Sequence, residues 1–264
     1  METEIAVQMY TLRRMSATQS GLADCLSKVA AIGYPAVQFS AVAAMEGDEP
    51  AVTSKLARRM LDDNGLRCIA THRTWDKLTQ DLDREIEFHL TLGCDYLAIS
   101  SLPNQFRSEG ADGYRRWLQY LRPIVSRLKD AGIRFGYHNH AFEFERFGND
   151  RSTFFEIITS ESAEDLYILF DVYWAQHAGF NSVHLLETIA GRVPVIHLKD
   201  KEVVDGEPTF APIGEGNLDW PAIFPALRAA GAQWWAVELD ECRRDPFDCL
   251  KSSFEFISSH IHSE

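Results

Sequence analysis

The sequence predicts an α/β protein: a single (β/α)8 barrel spanning residues 1–264. Three observations point there. An amphipathic stretch, a glycine and a short apolar run recur along the chain. Eight runs of strand character can be counted, at intervals of roughly 30 to 40 residues, the size of one strand-plus-helix unit. No linker divides them, and barrels of this kind commonly use about 250 residues as one domain.

Glu4–Tyr10 opens the chain as the first strand. Gly33 then precedes Ala36–Phe39, Gly65 precedes Leu66–Ala70, Gly93 precedes Tyr96–Ile99, and Gly132 precedes Ile133–Tyr137. The sixth run, Leu166–Phe170, follows a helix closed by polar residues. Gly191 precedes Val193–Ile196, and Gly231 precedes the eighth strand, Trp234–Glu238. A glycine just past a helix supplies the left-handed residue that ends it, so each marks a helix-to-strand return. Leu22, Leu26 and Val29 share one face of the first helix; Phe247, Leu250, Phe254 and Ile257 share one face of the last. Asp245-Pro246 suits the start of that last helix, a cap followed by proline. An open doubly wound sheet usually shows a glycine-rich phosphate loop after its first strand. Tyr10-Thr11-Leu12-Arg13 is nothing like one.

Composition narrows the function. The 26 Lys and Arg against 39 Asp and Glu give a net charge of −13. Such a surface repels phosphate backbones, which argues against a nucleic-acid partner. No apolar run approaches the eighteen or so residues of a membrane span, and the first ten residues lack a secretory layout. The five cysteines are scattered, with no C-x-x-C. The expectation is a reduced, soluble, cytoplasmic protein without a membrane partner.

Chemistry in such a barrel occupies the C-terminal strand ends. Strand three ends in Thr71-His72-Arg73, strand five in Tyr137-His138-Asn139-His140, and strand six in Phe170-Asp171-Val172-Tyr173-Trp174. Strand seven ends in Ile196-His197-Leu198-Lys199-Asp200 and strand eight in Val237-Glu238-Leu239-Asp240. A single polar residue there is ordinarily a solvated boundary residue. Five polar ends converging on one mouth form a ligand set for a divalent ion such as Mn²⁺, Zn²⁺, Co²⁺ or Mg²⁺. Alternation places His138 and His140 on one face of strand five, with Asn139 pointing away.

These residues carry a resemblance. His197-Leu198-Lys199-Asp200, the stretch Pro212-Ile213-Gly214-Glu215-Gly216-Asn217-Leu218-Asp219-Trp220, Phe170-Asp171 and Val237-Glu238 resemble the sugar phosphate isomerase/epimerase family of xylose isomerase-like TIM barrels. The resemblance implies one divalent metal held by groups from strands five to eight. Carried over by position, the ligands are Asp171, His197 and Glu238. Where family members often have Glu-Asn-His, this chain reads His138-Asn139-His140, which puts His138 at the remaining ligand position and leaves two carboxylates instead of three. A second departure is Trp174, where some sugar epimerases have a substrate-binding histidine; its indole can stack on a sugar or pack the rim.

The implied activity is a metal-dependent sugar isomerase or epimerase that abstracts a proton next to a carbonyl through an enediolate. Glu238, His138 and His140 are the candidate catalytic groups. His72, Trp174 and Lys199 are the candidate substrate contacts, Lys199 being otherwise a surface lysine paired with Asp200. Glu215, between two glycines, reads as a loop-shaping residue. Three alternatives stand beside this. One is a lyase or hydratase acting on a keto-glycoside, and another a non-catalytic sugar-binding barrel. The third, a DNA repair endonuclease of the same barrel, needs further metal ligands, including a histidine where Trp174 stands. The expected partner is a small sugar or sugar derivative, and a homo-oligomer is compatible with the sequence.

Overall fold

The computed structural model describes residues 3–148, 151–162 and 165–261. Its barrel strands are β1 (Glu4–Gln8), β2 (Ala36–Phe39), β3 (Arg67–Arg73), β4 (Tyr96–Ile99), β5 (Arg134–His138), β6 (Leu166–Asp171), β7 (Val195–Leu198) and β8 (Trp234–Val237). Each pairs in parallel with its sequence neighbours, and β8 closes the ring against β1, with Glu4 opposite Trp234 and Val7 opposite Val237. Helices separate the strands, so this is a single (β/α)8 barrel. Among the described residues, no helix is long and apolar enough to cross a membrane. The six glycines that mark the returns all take positive φ, between +65° and +119°.

Strands three, five, six and seven run one to three residues further than the apolar runs suggested, while two strands stop short. β1 stops at Gln8 because its side chain accepts the Tyr10 N–H at 2.7 Å, turning Met9–Leu12 into a 3-10 helix. β8 stops at Val237, although the Glu238 N–H still donates to Leu198 O at 3.0 Å. Two hairpins also interrupt the repeat: Arg146–Phe147 with Ser152–Thr153, and Asp200–Val204 with Glu207–Ala211. The second turns at Asp205-Gly206, both at positive φ. That dipeptide is a strong hairpin signal in a sequence.

Alternation decides what the barrel encloses. Ala6, Ala36, Ala70, Ala98, Leu169, Val195 and Ala236 form a small cluster with Tyr96. Gly136 belongs to the same layer, where a Cβ would overlap the Tyr96 phenol oxygen. The residues between them, such as Val7, Val37, Phe135, Phe170, Ile196 and Trp235, join the large core packed against the helices. Burying each such side chain stabilises the fold by roughly 1.5–3 kcal/mol. Two residues beyond the inner apolar layer, the same file of each strand becomes polar: Gln8, Gln38, His72, Ser100, His138, Asp171, His197 and Glu238. An apolar floor thus lies under a polar ring at the C-terminal mouth.

Candidate active site

The ring brings four of the sequence candidates together. His138, Asp171, His197 and Glu238 are buried, and each offers a ligand atom such that all four lie within 4.8 Å of one another. His138 Nε2 sits 3.3 Å from Asp171 Oδ2. His197 Nδ1 lies 2.9 Å from Glu238 Oε2 and 3.8 Å from Asp171 Oδ2. Local structure aims each group. The Asp171 carboxylate caps helix Val172–His177 by accepting the Trp174 N–H at 3.1 Å. Asn139, facing away from the cavity, clips β5 to β6: its side-chain oxygen accepts the Asp171 N–H at 2.9 Å. Gln38 Oε1 accepts from His197 Nε2 at 2.7 Å, and Gln8 Nε2 donates to Glu238 Oε1 at 3.3 Å.

Lys199 is no surface lysine. It is 2% exposed, with Nζ 3.3 Å from Asp171, 3.1 Å from Glu238 and 2.7 Å from Asp240. Nor does it pair with Asp200, which lies on the opposite side of the chain. Burial opposes the charged amine, but the three carboxylates outweigh burial and raise its pKa. The same balance governs the acids. Burial favours a neutral Glu238, yet Lys199 and His197 hold its carboxyl down at about 2. Asp171 is likewise held well below the ordinary range, by Lys199 and then His138. Burial pushes His138 down to about 4 and His140 down to about 3, so both imidazoles are neutral near pH 7. His197 is raised: burial works against its charged form, and Glu238 and Asp171 more than offset it.

The donor set fits a divalent metal. Because His197 Nε2 donates to Gln38, its Nδ1 is the nitrogen that faces the two carboxylates and can give its lone pair to a metal. Among the described residues His197 Nδ1, His138 Nδ1 and Glu238 Oε2 have no hydrogen-bond partner. The contact of His197 Nδ1 with Glu238 Oε2 across 2.9 Å needs a positive charge between the two atoms, which a proton on Nδ1 or a metal ion in its place supplies. Two imidazoles and two carboxylates are a ligand set that zinc, manganese or cobalt accepts, and a ligating histidine commonly donates its other nitrogen to a fixed acceptor, as His197 does.

Above the ring opens a cavity of about 750 Å³, lined by His72, His138, His140, Trp174, Lys199 and Glu238 among others. Each of the sequence-predicted site residues thus lies in it or directly beneath it. His72 Nδ1 meets Ser40 Oγ at 3.4 Å. Trp174 stands 5.6 Å from His140 between ring centroids and packs beside Tyr173 and Phe210, so it is both rim packing and cavity wall. Sequence reasoning missed Gln8, Gln38, Arg73, Asp240 and Glu143. Gln8 and Gln38 carried a signal, being polar residues within otherwise apolar strands.

The motif after β7 proves to be architectural. Asp200 accepts from the backbone N–H groups of Lys201, Gly214, Gly216 and Leu218, and from Trp220 Nε1 at 2.6 Å. A Cβ at Gly216 would strike the Asp200 carboxylate, and one at Gly214 (φ +89°) would strike Phe256. Glu215 faces outward to Arg244 and Ser252. The Asp200 of H-L-K-D and the G-E-G-N-L-D-W stretch therefore encode one buried carboxylate and the loop wrapped around it, while His197 and Lys199 of the same motif face the site.

This fold is that of the xylose isomerase-like TIM barrel family, to which the chain belongs: the family model matches residues 26–260. The chain is 24% identical to the rhizopine catabolism protein MocC of Rhizobium meliloti over 287 residues, 93% of this chain and 83% of that protein. It is 27% identical to an inosose dehydratase of Erwinia tasmaniensis over 170 residues, 56% of this chain and about half (55%) of that protein's length. Among solved structures it superposes on a sugar phosphate isomerase/epimerase from Parabacteroides distasonis with a TM-score of 0.80 at 21% identity, covering 98% of this chain and 94% of that one. An IolI protein with a bound zinc atom gives a TM-score of 0.71 at 14% identity, covering 98% of each chain. At these identities the structural likeness speaks for the fold.

Proposed function

We propose that the protein is a metal-dependent isomerase or epimerase that removes a proton next to the carbonyl of a keto sugar. One observation carries the reading: four ligating side chains converge within 4.8 Å at the foot of a polar cavity, with a further imidazole, His140, above them. His138, Asp171, His197 and Glu238 would hold the ion. Bound there, a divalent ion would neutralise negative charge developing on substrate oxygens. The chain's own groups do the rest. Glu238 just beyond β8 and His140 just beyond β5 follow strands separated by β6 and β7 around the ring. Both are unprotonated near neutral pH, so either can accept the substrate proton and, now carrying it, return it to the adjacent carbon of the enediolate for isomerisation. Epimerisation would need the opposite group to take a proton from solvent first. Lys199 points its ammonium at the same place and steadies an oxyanion. His72 and Trp174 contact the substrate.

Dehydration of a keto-polyol is the second reading, favoured by the similarity to inosose dehydratase. It shares the first step and differs in what leaves afterwards. Purified protein analysed for metal, then incubated with keto sugars in deuterated water, tests both. Deuterium entering the carbon next to the carbonyl without loss of mass supports isomerisation or epimerisation; loss of one water supports the lyase. Glu238→Gln should lower turnover by at least about 10²-fold. A protein that binds sugar without any exchange would be a sugar-binding barrel, and the proposal would fall.

A further inference from the structure

The lining of the cavity has two cations, and carboxylates already surround both. Arg73, at the end of β3, has a side chain 8% exposed and grips Glu85 with Nε and Nη2 at 2.5 and 2.7 Å. Its Nη1 is also 3.8 Å from Glu46, which Lys77 pairs with too. Lys199 is shared by Asp171, Glu238 and Asp240. Counted together, these acids number five against the three cations Arg73, Lys77 and Lys199. The two charges of a divalent ion would bring the group to neutrality and leave no surplus for a dianion. Arg107 lies behind Phe142, its guanidinium 3.8 Å from the ring centroid, outside the lining.

What the lining does offer is neutral. Among the described residues, His72 Nε2, His140 Nδ1 and Trp174 Nε1 are buried polar atoms with no hydrogen-bond partner, and all three side chains border the cavity. Ser40, Ser100 and Ser101 add hydroxyls at its edge. A buried polar atom left unpaired is costly, so such atoms mark where a ligand's own donors and acceptors belong. Phe142 and Trp174 supply aromatic wall for the C–H face of a ring.

We propose that the cavity selects an uncharged polyhydroxy ketone and rejects its phosphate ester. The inference deepens the function proposed above and rests on it for the position of the ketone. His72, His140 and Trp174 read hydroxyl groups. Glu46, Glu85 and Asp240 neutralise the cations that would otherwise welcome a phosphate. Desolvating a dianion in a site with no uncompensated cation to meet it should cost at least about 10²-fold in kcat/KM.

The test compares matched pairs, D-fructose with D-fructose 6-phosphate and D-ribulose with D-ribulose 5-phosphate, on metal-loaded enzyme. Deuterium exchange next to the carbonyl and calorimetric binding are both measured. Faster exchange and tighter binding of the neutral member, by the factor above, support the inference. Equal or better performance of the phosphate overturns it while leaving the proposed reaction standing. If neither sugar exchanges, the proposed reaction fails, and binding alone decides selectivity: preference for the neutral member upholds it, and equal or absent binding overturns it. Glu46→Gln makes the mechanism falsifiable separately. Its side chain is 44% exposed, and replacing it leaves Arg73 and Lys77 less compensated. The variant should narrow the discrimination several-fold; an unchanged ratio would show that rim carboxylates do not set it.

Discussion

Gln38 on β2 accepts the Nε2 hydrogen of His197 on β7 at 2.7 Å, across the barrel interior. The bond decides which imidazole nitrogen faces Asp171 and Glu238. Gln38→Leu keeps the size of the side chain and frees the ring. Metal affinity should fall by about 10–100-fold, the usual effect of removing such a supporting partner, while far-UV circular dichroism stays unchanged. Metal titration followed by calorimetry checks this. An affinity within twofold of the wild type would show that His197 needs no such orientation.

How much of this was legible in the residues follows from alternation. His138, Asp171, His197 and Glu238 each end an apolar run, and a barrel sends such ends to one mouth, so their meeting could be read in advance. Gln8 and Gln38 sit on the same inward file and could have been read too, since a buried strand such as Ala36-Val37-Gln38-Phe39 has no other reason for an amide. The Asp205-Gly206 hairpin was equally readable. Lys199 was not: strand alternation sends it inward and Asp200 outward, but only the tertiary position of Asp240 and the loop at residues 212–220 shows which partners each finds. Glu143 left no trace in sequence, because a single 3-10 turn at Phe142–Phe144 folds it back beneath the site.

Asp200 supports a stability prediction. Removing its carboxylate in Asp200→Ala strands five donors, including Trp220 Nε1. Leaving buried donors unpaired costs about 1–3 kcal/mol each, so the total should be at least about 3 kcal/mol after the loop relaxes. For a chain of this size, Tm should drop by roughly 6–12 °C. Thermal unfolding monitored by circular dichroism measures it. A change of under about 2 °C would mean the loop holds together without its hub.

Glu143 supports a pH prediction. Its carboxyl is fully buried, accepting from Tyr137 Oη and from the His140 N–H, each at 2.7 Å. Burial raises its pKa to about 8, and those hydrogen bonds only partly counter it. The folded protein therefore keeps this proton while the unfolded chain, where the group has its ordinary pKa of 4.5, has released it. Between those two values the folded state binds more protons, so stability falls as pH rises through the window. Glu143→Gln cannot release a proton and should lose this component. From pH 5 to pH 8 the wild-type Tm should decline more than that of the variant, by on the order of a few °C. Parallel curves for the two proteins would place the Glu143 proton elsewhere.

His138→Ala tests the position where this chain leaves its family's pattern. His138 Nε2 lies 3.3 Å from Asp171, and Nδ1 has no partner among the described residues. Its ring stands 4.5 Å from that of His197 and 4.6 Å from that of His140 between centroids, so it sits between the ion ligands and the upper imidazole. As a ligand, it should take metal and activity with it: bound metal per chain should fall well below one while Asp171, His197 and Glu238 remain. Acting solely as an acid or base, it would leave metal content intact and abolish exchange of the substrate C–H with solvent. The convergence of its nitrogen with three other ligand atoms favours the first outcome. Elemental analysis and proton exchange on one preparation separate the two. Full metal with full exchange would strip His138 of both roles and leave proton transfer to Glu238 and His140.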